Sequence, residues 1–92
     1  MIQLESKHRQ IVNSILNKYP YTFYAYGSRA KGTHWKYSDL DLCYQESIPD
    51  HIAFVISEEF KESDLPFKVD LVDWKRMNSD FQNLIKKDLV SL

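Results

Sequence analysis

The hydrophobic pattern of this chain switches period several times, and that succession limits its fold more than any other feature. Apolar residues fall at Ile2, Leu4, Ile11, Val12, Ile15, Leu16 and Tyr19. The later ones keep the i, i+1, i+4, i+5, i+8 spacing of one helical face. Pro20 ends this helix, because proline biases its predecessor away from helical geometry. Residues 22–26 are then β-branched and aromatic, with Gly27 behind them, and read as a short strand. Residues 28–31 have room for one helical turn before Gly32, and residues 33–38 are a polar and aromatic loop without periodicity. Residues 40–44 read as a second strand.

Ser47 is placed to cap a third element, with Pro49 near its first turn and Asp50 three residues after the serine. Ile52, Val55, Ile56 and Phe60 give helical spacing up to about Lys61, and residues 62–66 form a connection. Residues 67–73 alternate and are rich in valine and leucine, which predicts a third strand. From Ser79, with Phe81, Leu84 and Ile85, a last helix runs to about Lys87. The order is helix, strand, turn, strand, helix, strand, helix. Such alternation predicts an α/β (α+β) domain, a small three-stranded mixed sheet flanked by about four helices.

Composition narrows the function. With 92 residues the chain is one compact domain, 1–92, and too short for two. Twelve Lys and Arg stand against 13 Asp and Glu, a formal charge of −1, whereas proteins that grip nucleic acid through many phosphates carry a basic excess. Nonspecific nucleic-acid binding is therefore disfavoured, and RNA or DNA enters only as an acceptor. The single cysteine, Cys43, makes neither an internal disulfide nor, alone, a thiolate zinc site. Residues 1–10 are polar and charged, unlike a signal peptide, and no apolar run approaches the roughly 20 residues of a membrane span. The expected setting is the cytoplasm.

The chemistry concentrates in Tyr26-Gly27-Ser28-Arg29-Ala30-Lys31-Gly32 and Ser38-Asp39-Leu40-Asp41-Leu42. A glycine directly after a strand turns sharply and lets a ligand approach the backbone. If Ser28 opens a helical turn, its N–H groups and local dipole favour an anion such as phosphate; many strand-glycine-serine turns, however, bind nothing. Asp39 and Asp41 sit two apart, so both carboxylates project from one face of a strand while Leu40 and Leu42 enter the core. Two adjacent carboxylates repel unless a cation lies between them, and Mg²⁺ takes one or two carboxylates plus substrate phosphates. The competing reading of Asp-Leu-Asp is a solvated strand edge. Asp70, within Lys68-Val69-Asp70-Leu71-Val72-Asp73, supplies a third carboxylate if its strand neighbours the second. Strand parity puts Asp73 on the opposite face, where a strand-end or capping role suits it better.

The ordered set of Gly27-Ser28, a basic turn with Gly32, Asp39-Leu40-Asp41 and Asp70 resembles the minimal nucleotidyltransferases of the DNA polymerase β-like superfamily. The resemblance spans roughly residues 11–85. It implies the polymerase β-like nucleotidyltransferase fold. It also implies that Gly27 and Ser28, with Arg29 as a further candidate, contact a nucleoside triphosphate. By the same resemblance Asp39 and Asp41 bind metal, while Asp70 completes the site and helps deprotonate an acceptor hydroxyl. The cofactor implied is Mg²⁺, with Mn²⁺ as an alternative, and the substrate ATP or another NTP. Larger relatives carry a helical domain that holds the acceptor. Minimal members are typically paired with a small helical HEPN-type protein, often as its antitoxin, and some transfer AMP to a tyrosine of that partner. The rival reading is a catalytically weak or inactive binding module that neutralises its partner by complex formation.

Other residues take plainer expectations. Arg29 and Lys31 are alternatively just solvated turn residues. Within His34-Trp35-Lys36-Tyr37 an aromatic has the option of stacking on a base, but Trp35 is expected to pack the loop down. His8, His34 and His51 show no metal-ligand spacing and read as surface residues. Cys43 shares the face of Asp39 and Asp41 by parity and reads as a small buried residue. Phe23, Phe54, Phe60 and Phe67 read as core, and Trp74 either covers the sheet edge or offers a partner surface.

Overall fold

The computed structural model describes residues 4–35 and 37–92; Ile2, expected on the first helix, and Lys36 of the aromatic loop lie outside the described residues. The chain forms α1 (Ser6–Leu16), β1 (Tyr24–Tyr26), α2 (Ser28–Lys31), β2 (Leu40–Tyr44), α3 (Asp50–Lys61), β3 (Val69–Asp73), α4 (Ser79–Ile85) and β4 (Val90–Ser91). Short 3-10 turns occupy Trp74–Arg76 and Lys86–Asp88. The expected succession of helices and strands is present, with β4 added.

The four strands lie in the order β3-β2-β1-β4. β1 pairs antiparallel with β2 and with β4, whereas β2 and β3 run parallel. A parallel pair needs a crossover, which α3 supplies. The fourth strand is two residues long, held by Tyr24 against Ser91 and Ala25 against Val90.

Alternation along the strands divides the side chains between two faces. One face carries Ala25, Leu40, Leu42 and Tyr44, packed against Val12, Ile15 and Leu16 of α1 and Ile56 and Phe60 of α3. Leu40, Leu42 and Ile56 are wholly buried, and burying each such side chain contributes about 1.5–3 kcal/mol. The opposite face holds a smaller cluster of Tyr26, Cys43 and Ile85, with Tyr24, Trp74, Met77 and Leu89 around it. Trp74 thus covers this second face together with α4.

Local expectations change in four places. α3 begins after Pro49 with no side-chain cap; Ser47 instead accepts a hydrogen bond from Lys75 Nζ at 3.2 Å. Phe54 is 64 % exposed and Val55 44 %, and Ala53 rather than Val55 joins Ile52 against the core. Trp35 is 69 % exposed, its ring edge-on to Tyr37, and does not pack the loop onto the protein. His8 is half-buried and meets the Phe67 ring edge-on at 5.5 Å, and His34 is also half-buried. Among the described residues, no helix is long and apolar enough to cross a membrane.

Candidate active site

Strand register assembles the site on the smaller-cluster face. Tyr26 of β1 pairs with Asp41 of β2, and Asp41 pairs with Asp70 of β3. Cross-strand partners share a face, so Tyr26, Asp41 and Asp70 form one row across three strands. The next row is Tyr24, Cys43 and Val72. Asp39 lies one residue before β2, exposed and two residues along the chain from Asp41. Asp73 falls on the other face and caps the 3-10 turn after β3, its Oδ1 accepting from Lys75 N–H at 3.0 Å.

The turn after β1 brings the glycine corner against the carboxylates. Gly27 has φ of 78° and ψ of −156°, a region essentially restricted to glycine. A Cβ built on it would lie 2.5 Å from Asp41 Oδ2. The backbone therefore demands glycine here, and any added Cβ would have to displace the Asp41 carboxylate oxygen. Ser28 opens the single turn of α2, in which the N–H groups of Ala30 and Lys31 each donate to the Gly27 carbonyl at 3.1 Å. Gly32 closes the turn in the left-handed region.

The electrostatics follow from this crowding. The Asp41 carboxyl is pushed above the ordinary carboxylate range, first by burial and then by the charges of Asp70 and Asp39. Burial, with Asp41 and Asp70 nearby, raises the Tyr26 phenol to about 12, so it stays protonated and adds no third negative charge to the row. Asp70 is partly neutralised by Lys68, whose Nζ stands 3.4 Å from Oδ1. As the side chains stand, no three His, Cys, Asp or Glu groups converge on one point among the described residues. The donor set nevertheless fits a hard divalent cation: Asp41 and Asp70 are adjacent in register, they repel, and phosphate oxygens complete such sites.

Arg29 is placed differently from the sequence expectation. Its side chain belongs to a residue only 3 % exposed, with the guanidinium 4.1 Å from the Phe67 ring centre. Its Nε–H donates to the Ser38 carbonyl at 3.0 Å. It is thus packed within the protein rather than solvated in an open turn; burial also pushes its pKa down. Lys31 instead faces Asp88, with Nζ 3.8 Å from Oδ2. Cys43 is wholly buried, which raises its thiol to about 11. Sequence reasoning gave no site role to Tyr26, a member of the row, or to Phe81, whose ring meets that of Tyr26 edge-on at 6.0 Å.

A mixed sheet with a glycine corner after its first strand and carboxylates aligned on the next two defines a nucleotidyltransferase-type domain. The chain belongs to the family described as Polymerase beta, Nucleotidyltransferase, which it matches over residues 10–92. It is 43 % identical over 90 residues to the probable protein adenylyltransferase MntA of Haemophilus influenzae (strain ATCC 51907 / DSM 11121 / KW20 / Rd), covering 94 % of this chain and 79 % of that protein. Its fold is similar to a chain in the crystal structure of a mutant toxin–antitoxin MntA–HpeT, with a TM-score of 0.60 at 18 % identity. That likeness covers 98 % of this chain and 72 % of the other.

Proposed function

We propose that this chain, as a single minimal nucleotidyltransferase domain over 1–92, transfers AMP from ATP to a hydroxyl of a HEPN-type toxin and so acts as its antitoxin. The observation that carries the chemistry is the register pairing of Asp41 with Asp70, with the Gly27 corner closed onto Asp41. The 43 % identity to a probable protein adenylyltransferase supports AMP as the group moved and a protein as the acceptor. The likeness of the fold to an MntA–HpeT chain agrees with it.

In this proposal Gly27 and Ser28 line the triphosphate, the glycine because it has no side chain and the serine through its hydroxyl. Asp39, Asp41 and Asp70 are the residues that would hold Mg²⁺, Asp70 from beside Lys68. The bound cation would neutralise phosphate charge and lower the pKa of the acceptor hydroxyl. Asp70 takes the proton from that hydroxyl as its oxygen bonds to the α-phosphorus. The bond from that phosphorus to the bridging oxygen breaks, and pyrophosphate leaves. Such catalysis rests on positioning and charge neutralisation rather than a protein nucleophile.

The test is intact-mass spectrometry of a HEPN-type partner after incubation with this protein, Mg²⁺ and ATP. Mass gains of whole AMP units, absent with Asp41→Asn, are expected. A stable complex with no mass gain would overturn transfer and leave the binding module.

A further inference from the structure

The three segments that carry the candidate site meet at one buried side chain. Arg29 belongs to α2, directly behind the Gly27-Ser28 corner. Its Nε–H holds the carbonyl of Ser38, the residue before Asp39. Its guanidinium lies over Phe67, three residues before Asp70. The same two approaches are joined directly where Leu40 N–H donates to the Lys68 carbonyl at 2.9 Å. A cation this enclosed is costly unless its hydrogen bonds and charge are used, and its planar fork can stack and donate at the same time, as a lysine cannot.

We propose that Arg29 is a positioning residue that sets Asp39 and Asp41 in register with Asp70 and with the Gly27-Ser28 corner, by tying α2 to the entries of β2 and β3. This rests on the carboxylates being the metal ligands proposed above. Arg29 acts through the Ser38 carbonyl and the Phe67 ring, and it touches neither nucleotide nor acceptor. Groups that orient metal ligands typically change metal affinity or activity by about 10–100-fold when removed.

The experiment compares wild type, Arg29→Met and Arg29→Lys by Mn²⁺ binding in electron paramagnetic resonance and by steady-state transfer, with circular dichroism to monitor folding. Arg29→Met keeps the length and the packing on Phe67 but loses donor and charge; Arg29→Lys keeps the charge but not the planar donor. Both are expected to bind Mn²⁺ about 10–100-fold more weakly, the range for lost ligand orientation. kcat should fall similarly, with KM for ATP at saturating metal changed less than about two-fold, the pattern of a lost transition-state arrangement. Wild-type Mn²⁺ affinity and kcat in either folded variant overturn the proposal. So does a raised KM with unchanged kcat, which would mean a direct phosphate contact. Should both variants lose their fold, the wild-type Arg29 Nε–H resonance decides. Slow exchange with water is expected, and exchange as fast as an exposed arginine's overturns the proposal. Wild-type protein that neither binds Mn²⁺ nor transfers AMP refutes instead the function on which it rests.

Discussion

Asp41→Asn should make the metal-free protein more stable while abolishing its activity. Asp41 is half-buried, lies in register with Asp70, and its carboxyl is pushed up by burial and by Asp70 and Asp39. Neighbouring strands are about 4.8 Å apart. Two unit charges at that spacing repel by about 0.9 kcal/mol in water-like surroundings and about 3.5 kcal/mol at an effective dielectric of about 20. Lys68 beside Asp70 and the exposure of Asp39 favour the lower figure. Relief of about 1 kcal/mol raises Tm by roughly 4–8 °C in a domain of this size. A carboxyl whose pKa is raised on folding contributes stability that is present below its unfolded pKa and lost as pH rises through the folded one. The advantage of the variant should therefore be full at pH 7 and vanish below about pH 4, where the unfolded carboxylate also takes up its proton. Saturating Mg²⁺ should reverse the order, since a ligand at 100 times its Kd stabilises the native state by about 2.7 kcal/mol. Scanning calorimetry at both pH values, in chelator and then in Mg²⁺, measures all of this. A fall in Tm of several degrees at pH 7 in chelator would refute the reasoning and give Asp41 a structural role.

Two further outcomes are expected. Gly27→Ala combines a backbone region close to glycine-only with a Cβ 2.5 Å from Asp41 Oδ2, so it should lose about 1–3 kcal/mol and its transfer activity. Gly32→Ala, where nothing lies within 4 Å, should cost only about 1–2 kcal/mol for its left-handed backbone and keep its activity; equal damage from the two in denaturant titration and transfer assays would undercut the steric argument. Cys43, wholly buried with its thiol raised to about 11, should resist iodoacetamide at pH 8 in the folded protein and react on unfolding; labelling at the rate of a free thiol would show that the second sheet face opens.

The faces of the candidate site residues were legible because strand parity is local, whereas the alignment of Asp70 with Asp41 waited on the pairing of β3 with β2. Asp39, Asp41 and the turn at Gly27-Ser28 follow from a few consecutive residues, and Asp73 separates from Asp70 by the same parity. Phe54 was legible too, had the angle been followed: it stands two residues from both Ile52 and Ile56, about 200° around the helix from each. Arg29 was not legible. Its neighbours in sequence are those of an exposed basic turn, and its enclosure depends on distant chain such as Phe67, returning from beyond α3. β4 escaped for another reason: two residues, Val90 and Ser91, are too few to carry a period, and their pairing is decided by the free edge of β1. Trp35 shows the limit of composition, since an aromatic residue in a loop packs only where a partner surface reaches it.

The two sheet faces divide stability from chemistry, and this explains how so short a chain tolerates its own site. α1 and α3 both pack on the face of Ala25, Leu40 and Leu42, so most apolar burial lies away from the row of Asp41 and Asp70. The other face has only Tyr26, Cys43 and Ile85 fully in place. Filling it with a third long helix would bury more apolar surface but would cover Asp41 and Asp70. The protonated Tyr26 phenol, set between that small cluster and the acids, lets the sheet pass from apolar to charged within one strand. Carboxylate repulsion thus falls on the face that contributes least to folding, where the cation proposed above would relieve it.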